Sequence, residues 1–138
     1  MKLYMIRAKT DEGIIYDKGY TSSEYATEVA KLRYEDWNIV EKEISYVCIL
    51  TYTRIGDSVE QGIVEVYDNL EACHSHMLER YRRVAEESST AVPEAWIEDT
   101  QAYCRTESCS IRWNIIVSDA VPAGCRKVKR LYRVMESQ

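Results

Sequence analysis

Alternating apolar and polar residues at the start of the chain predict a β-hairpin. The first alternating stretch covers residues 3–9 and the second covers residues 14–20. Asp11-Glu12-Gly13 lies between them and is typical of a tight turn. We therefore expect two antiparallel strands at the beginning of the fold.

The apolar spacing then changes to that of a helix. Thr21-Ser22-Ser23-Glu24 offers capping side chains and an acidic residue for a first helical turn. Ala26, Val29 and Ala30 follow at helical spacing, which predicts an amphipathic helix to about residue 36. Trp37 then opens an alternating segment, which we interpret as a strand ending near residue 43.

The same order recurs in the second part of the chain. Residues 45–54 and 62–67 predict two strands, and Asp68-Asn69 predicts the cap of a second helix. Aligning residues 20–34 with residues 67–81 gives identical residues at Tyr20/Tyr67, Glu24/Glu71, Arg33/Arg80 and Tyr34/Tyr81. Trp96 follows the second helix as Trp37 follows the first, with extra residues between 86 and 93 that we interpret as a loop.

These elements predict an α+β protein built from two tandem ββαβ units. We expect one domain over residues 1–138, with an internal repeat of residues 1–44 and 45–104. Its strands should form an antiparallel-rich sheet, or two sheets, with both helices on one face. Residues 111–117 predict a further strand. Residues 126–135 fit either a helix or a strand, and we favour a strand that completes a C-terminal β-hairpin over residues 111–138.

The composition is that of a globular protein with an unusual set of aromatic residues. The chain has eleven Tyr, three Trp and no Phe, and Tyr and Trp are common in contact surfaces as well as in thin sheet cores. The net charge of −5 argues against a general nucleic-acid binder. No segment approaches the roughly 20 apolar residues that a membrane span needs.

The cysteines predict a reducing compartment. Five cysteines, an odd number, accompany an N-terminal segment with Arg7 and without the apolar core of a signal peptide. We therefore expect reduced thiols and a cytoplasmic location.

The sequence contains one dense group of metal-capable side chains, Cys73-His74-Ser75-His76. Cys73 and His76 are three residues apart on a predicted helix, so both face one side, and Cys104 and Cys109 are candidate partners. Cys73 also belongs to the apolar stripe of that helix, where a free thiol acts as a small hydrophobe. We favour the apolar role and predict neither a metal nor a cofactor.

Sequence motifs of catalysis are missing. The chain lacks the glycine-rich phosphate loops and the G-x-S-x-G nucleophile motif, and its two histidines both fall on the second predicted helix. We therefore predict that the protein is not an enzyme.

Two basic clusters are the candidate partner-binding residues. The first, in the second predicted helix, contains Arg80, Arg82 and Arg83. The second, near the C-terminus, contains a tyrosine among its cations: Arg126, Lys127, Lys129, Arg130, Tyr132 and Arg133. Such clusters can be solvated or can protect a strand edge. They can also hold phosphates while an aromatic ring stacks on a base, or contact an acidic protein.

The segments Tyr20-Thr21-Ser22-Ser23-Glu24-Tyr25-Ala26 and Tyr67-Asp68-Asn69-Leu70-Glu71-Ala72-Cys73 follow a hairpin and lead into a helix and then a Trp-containing strand. Over about residues 1–104 this pattern resembles small accessory proteins of bacteriophages and mobile elements. The resemblance implies a protein that binds and redirects a host protein or a defence component, and it implies no catalytic residues.

The sequence thus leads to one main functional prediction and one alternative. We predict a non-enzymatic, phage-encoded protein that inhibits or redirects a host or defence-system macromolecule. The alternative is a nucleotide or nucleic-acid binder that uses the basic C-terminal segment. Because strand edges are expected to be exposed, we also expect that the protein can form a homodimer.

Overall fold

The computed structural model describes residues 1–86 and 92–129, and over these ranges the chain is an α+β protein. Strands predominate, in two antiparallel sheets with two helices, as the hydrophobic patterns predict. The elements are β1 Lys2–Thr10, β2 Gly13–Tyr20, α1 Ser23–Arg33, β3 Asp36–Glu43, β4 Val47–Ile55, β5 Val59–Tyr67, α2 Leu70–Ala85, β6 Glu94–Ile97, β7 Gln101–Arg105, β8 Ser110–Ser118 and β9 Lys127–Val128.

The described residues divide into two compact units. The first contains Met1–Val47, Val66–Asp68 and the described part of the segment that begins at Ser118. The second contains Cys48–Glu65 and the described residues of Asn69–Val117. No helix in either described part is long and apolar enough to cross a membrane.

The sheet of the first unit has the strand order β3-β1-β2-β9. The tight turn between β1 and β2 places Thr10 opposite Gly13. Gly13 has φ 112°, a left-handed conformation that favours glycine. The Thr10 hydroxyl donates a hydrogen bond to the Gly13 carbonyl over 3.0 Å, which closes the predicted hairpin.

Helix α1 packs on this sheet through small residues. The Ser22 side chain accepts a hydrogen bond from the Tyr25 amide and caps the helix, as the sequence predicts. Ala26 and Ala30 are fully buried against Ile6 and Tyr20. The helix ends at Arg33, before the predicted residue 36, because the chain becomes extended at once and starts β3.

The sheet of the second unit has the strand order β5-β4-β8-β7-β6. Helix α2 is capped by the Asn69 side chain, which accepts a hydrogen bond from the Ala72 amide over 2.7 Å. The helix contacts β6 and β7 and buries Cys73 and Met77. Its Tyr81 ring packs edge-on against the buried Trp113, with 6.5 Å between the ring centres.

The predicted C-terminal hairpin over residues 111–138 is wrong in its described part. The strand β9 pairs antiparallel with β2 of the first sheet, with Gly19 opposite Val128 and Tyr20 opposite Lys127. Both edges of β8 are already occupied by β4 and β7, so β8 has no edge left for a C-terminal partner. The remainder of the ambiguous segment, from Arg130 onward, lies outside the described residues.

Candidate binding surface

Three side chains form a row across the second sheet. Trp96 on β6 lies opposite Tyr103 on β7, and Tyr103 lies opposite Arg112 on β8. The two rings are stacked, with 5.9 Å between their centres and 28° between their planes. The Arg112 guanidinium carbon lies 5.2 Å from the Tyr103 ring centre and 5.6 Å from the Trp96 ring centre. We call Trp96, Tyr103 and Arg112 the aromatic strip.

The aromatic strip lies on the side of the sheet opposite α2. Successive residues of a strand point to opposite faces. Ala102 and Trp113, which adjoin Tyr103 and Arg112 in sequence, are buried, and Trp113 contacts Tyr81 of the helix. The helix therefore covers the neighbours of the strip, while Arg112 itself is exposed.

Polar and apolar groups surround the aromatic strip on the same face. Glu94 lies opposite Arg105, with 3.6 Å between their charged groups. Farther along β8, Ile116 is on the face of Arg112 by strand alternation and is 50% exposed. This face therefore combines exposed apolar surface with one cation, Arg112, that has no carboxylate partner among the described residues.

The first predicted basic cluster is engaged within its own helix. All three arginines are exposed, and each pairs with a side chain one turn away: Arg80 with His76, Arg82 with Glu86, and Arg83 with Glu79. Exposed pairs at this spacing contribute little free energy and are typical of a solvated helix face. These contacts favour the solvated interpretation over a binding site.

The second predicted cluster is only partly described. The exposed Arg126 places its guanidinium carbon 5.1 Å from the Tyr25 ring centre. Lys127 pairs with β2, and the Lys129 backbone bridges to Tyr67. The remaining candidates lie outside the described residues: Arg130, Tyr132 and Arg133.

The candidate metal ligands of the second unit differ in their surroundings. Cys73 is fully buried, and its pKa is raised to about 12 by burial and by the neighbouring Cys48. His74 Nδ1 contacts the Asp99 carbonyl oxygen at 2.9 Å, and His76 is bound to Arg80. In residues 1–86 and 92–129, no three His, Cys, Asp or Glu side chains are placed to hold a metal ion.

The hairpin between β7 and β8 contains a thiol in a polar setting. The Thr106 hydroxyl lies 3.5 Å from the Cys109 sulfur. Hydrogen bonds from Thr106 and Arg54, together with the Arg54 charge, lower the pKa of the Cys109 thiol. Cys104 is buried on β7, and burial raises the pKa of its thiol. Two cysteines of one hairpin therefore differ in acidity.

A polar pocket adjoins this thiol. It has a volume of about 240 Å³ and is lined by Arg54, Gly56, Asp57, Ser58 and Ser108. A β-carbon added at Gly56 would lie 3.4 Å from the Cys109 β-carbon, so this lining residue is close to Cys109. The pocket offers a cation beside a nucleophile but no histidine among its lining residues.

A partly buried carboxylate, Asp17, joins the end of α1 to β2 in the first unit. Asp17 Oδ2 accepts hydrogen bonds from Tyr34 over 3.1 Å and from Arg33 over 3.3 Å. The neighbouring Tyr20 is fully buried, and burial, with Asp17 second, raises its pKa to about 12. Because its contacts tie the end of α1 to a strand, we interpret this group as structural.

The aromatic strip was missed by the sequence analysis. Trp96, Tyr103 and Arg112 are seven and nine residues apart, and no motif connects them. Only the register of three strands brings them into one row. The alternation in residues 101–105, with Ala102 and Cys104 inside, was the available signal for β7.

The fold and its surface thus define a two-sheet α+β protein with an aromatic strip on one sheet face. No protein-family model matches the chain, and no curated protein or solved structure is significantly similar to it.

Proposed function

We propose that this protein is a non-enzymatic binding protein and that the aromatic strip anchors its partner. The observation that carries the proposal is the row of Trp96, Tyr103 and Arg112, which lies on the sheet face opposite α2. Trp, Tyr and Arg are the residues most enriched at the energetic centres of protein interfaces.

The side chains of the aromatic strip hold one another through contacts within the sheet. Cross-strand register fixes the two rings, and the cation–π contacts hold the Arg112 side chain above them. A side chain that is ordered before binding loses less conformational entropy when the partner arrives. These contacts support a binding role for the strip.

The charges near the strip favour a protein partner that presents a carboxylate. Arg105 is paired with Glu94, whereas Arg112 has no carboxylate partner among the described residues. A guanidinium forms strong two-point hydrogen bonds with a carboxylate. The flat rings and Ile116 would contact apolar side chains that flank this acidic residue.

The settings of the nucleophiles and histidines support a non-enzymatic role. One ring nitrogen of each histidine is engaged: His74 Nδ1 contacts the Asp99 carbonyl oxygen, and His76 Nε2 accepts a hydrogen bond from Arg80. Catalysis by a nucleophile generally needs such a base within hydrogen-bonding distance.

The biological setting of the proposal comes from the resemblance to phage accessory proteins. We propose that the protein is phage-encoded, acts in the cytoplasm of a bacterial host, and inhibits or redirects a host or defence-system protein. The order β-β-α-β occurs twice along the chain and supports two diverged copies of one ββαβ unit. The two sheets differ, because β1 pairs with β3 while β8 and β7 separate β4 from β6.

The proposal is tested by charge reversal at matched arginines. Arg112→Glu alters the strip, and Arg83→Glu alters an exposed arginine of α2 in the same unit. Immobilised wild type and both variants, each checked for folding by circular dichroism, are used to capture proteins from a bacterial lysate. We expect Arg112→Glu to lose about tenfold or more of a captured partner, corresponding to about 1.4 kcal/mol, while Arg83→Glu retains it. Equal capture by both variants would refute the proposal.

The alternative function is nucleotide or nucleic-acid binding by the basic C-terminal segment. One observation favours it: Arg126 lies over the Tyr25 ring, which combines a cation and an aromatic group in the first unit. This function requires binding of single-stranded oligonucleotides that falls steeply with salt and is lost when Arg126 and Lys129 become Glu. Binding that does not change with salt would exclude it.

A further inference from the structure

One edge of β5 is not paired with β4, and the backbone groups that point to this edge can be assigned. The strand is the last one in the described sheet order of the second unit, so β4 occupies only one of its edges. At its end, the Lys129 amide donates to the Val66 carbonyl over 2.9 Å, and the Asp68 amide donates to the Lys129 carbonyl over 3.3 Å. The backbone groups of Val66 therefore point away from β4.

Strand alternation extends this assignment along β5. The amide and carbonyl of one residue point to the same side of a strand, and every second residue points to the same edge. Counting back from Val66, the outward groups belong to Val64, Gly62 and Glu60. The segment from Val59 to Glu65 contains neither Lys nor Pro, the residues most used to protect a strand edge, and its charged residues are Glu60 and Glu65.

The apolar side chains of this segment are also exposed. Val59 is 62% exposed and Ile63 is 48% exposed. They are four residues apart, so alternation places both on one face of the strand. By contrast, the strand at the opposite end of this sheet, β6, is only four residues long and offers a short edge.

We propose that β5 pairs with β5 of a second copy of this chain. The two strands run antiparallel, and a two-fold axis passes through the Gln61 pair. In this register Glu60 lies opposite the second copy's Gly62, so the outward backbone groups of both strands form hydrogen-bonded pairs. The interface is isologous, as is usual in homodimers.

This register is self-complementary in its side chains. Val59 lies opposite the second copy's Ile63, and the reverse pair forms on the other side of the axis. Gln61 lies opposite itself, where two amides can hydrogen-bond. Among the neighbouring registers that also pair the outward groups, a two-fold axis at Glu60 would place Glu60 opposite itself, and an axis at Gly62 would place Val59 opposite Glu65. The charge pattern thus favours the Gln61 axis and a second copy as the occupant.

A disulfide across the axis tests the register. The Gln61 pair would be a non-hydrogen-bonded pair with about 4.5 Å between α-carbons, which a disulfide can span. On mild oxidation, we expect Gln61→Cys to form a disulfide between position 61 of one copy and position 61 of the other. Peptide mass spectrometry identifies the linked peptides. Glu60→Cys is the control, because residue 60 of one copy does not lie opposite residue 60 of the other. It should give far less disulfide between the two substituted peptides. Equal yields would overturn the register.

The assembly itself is tested by solution mass from light scattering at high micromolar concentration. We expect a dimer for the wild type and a monomer for Val59→Lys/Ile63→Lys, because lysines then oppose each other. Val59→Lys/Ile63→Glu should restore the dimer through opposite charges, which distinguishes lost pairing from a misfolded variant. A monomeric wild type would overturn the proposal. It would do so even if the edge of β5 binds a strand of a different protein. A rescue variant that is folded but monomeric would also overturn it.

Discussion

The side chain of Arg54 hydrogen-bonds the thiol of Cys109, so a cation at the end of β4 lies beside a nucleophile of the β7–β8 hairpin. This contact and the Thr106 hydroxyl favour the thiolate form of Cys109. Cys104 in the same hairpin is buried among apolar groups, which favours its neutral thiol. The two cysteines therefore differ in reactivity as well as in exposure.

Alkylation should reveal this difference. A thiolate reacts with iodoacetamide and a thiol does not, so the lowered pKa of Cys109 predicts labelling that begins at a lower pH than labelling of Cys104. Arg54→Ala should move the Cys109 labelling profile to higher pH and slow the reaction severalfold at neutral pH. The measurement is the labelled fraction of each cysteine peptide by mass spectrometry. Unchanged Cys109 labelling in Arg54→Ala would contradict the role of the arginine.

Alkaline unfolding should report on Tyr20. Its pKa is raised from 10.0 to about 12, chiefly by burial, so the unfolded chain loses this proton first as the pH rises. Stability that is fully present below pH 10 is therefore lost between about pH 10 and pH 12. We expect Tyr20→Phe to reduce this loss, measured as the urea midpoint at each pH.

The same variant makes a second prediction at neutral pH. Within the described part of the chain, the buried Tyr20 hydroxyl has no hydrogen-bond partner. Removing an unsatisfied polar group is nearly neutral or stabilising. Tyr20→Phe should therefore unfold at an equal or higher urea concentration at pH 7, and a loss of more than about 1 kcal/mol would show that the hydroxyl is satisfied.

Two helix residues of similar size should differ in their effect on stability. Met77 on α2 is fully buried, whereas Leu32 on α1 is 87% exposed. We expect Met77→Ala to lower the free energy of unfolding by about 2–5 kcal/mol, through lost burial and a cavity. Leu32→Ala should change it by no more than about 0.5 kcal/mol. Urea unfolding measures both, and similar losses would contradict the burial of Met77.

Local patterns were sufficient to predict most elements of the fold. Alternation and a turn sequence predicted the β1–β2 hairpin, and the Ser22 and Asn69 caps were expected at the helix starts. These features depend on residues close in sequence, where periodicity and capping chemistry act. The α+β class followed from them.

Long-range pairing was not predictable in the same way. The apolar pattern around Val128 was ambiguous, and its pairing with Gly19 depends on which strand edges the rest of the fold leaves open. The same limitation hid the aromatic strip, since the row from Trp96 to Arg112 exists only once three strands are in register. By contrast, the conspicuous arginines of α2 pair within their own helix.

Site-specific photocrosslinking tests whether the aromatic strip anchors a partner protein. A photoreactive phenylalanine analogue replaces Tyr103 in one sample and the exposed Tyr46 in a matched control, and both are irradiated in a bacterial lysate. We expect a defined crosslinked protein from position 103, which is lost when Arg112→Glu is added, and little crosslinking from position 46. Equal crosslinking from both positions, or a product from position 103 that is unaffected by Arg112→Glu, would contradict this role of the strip.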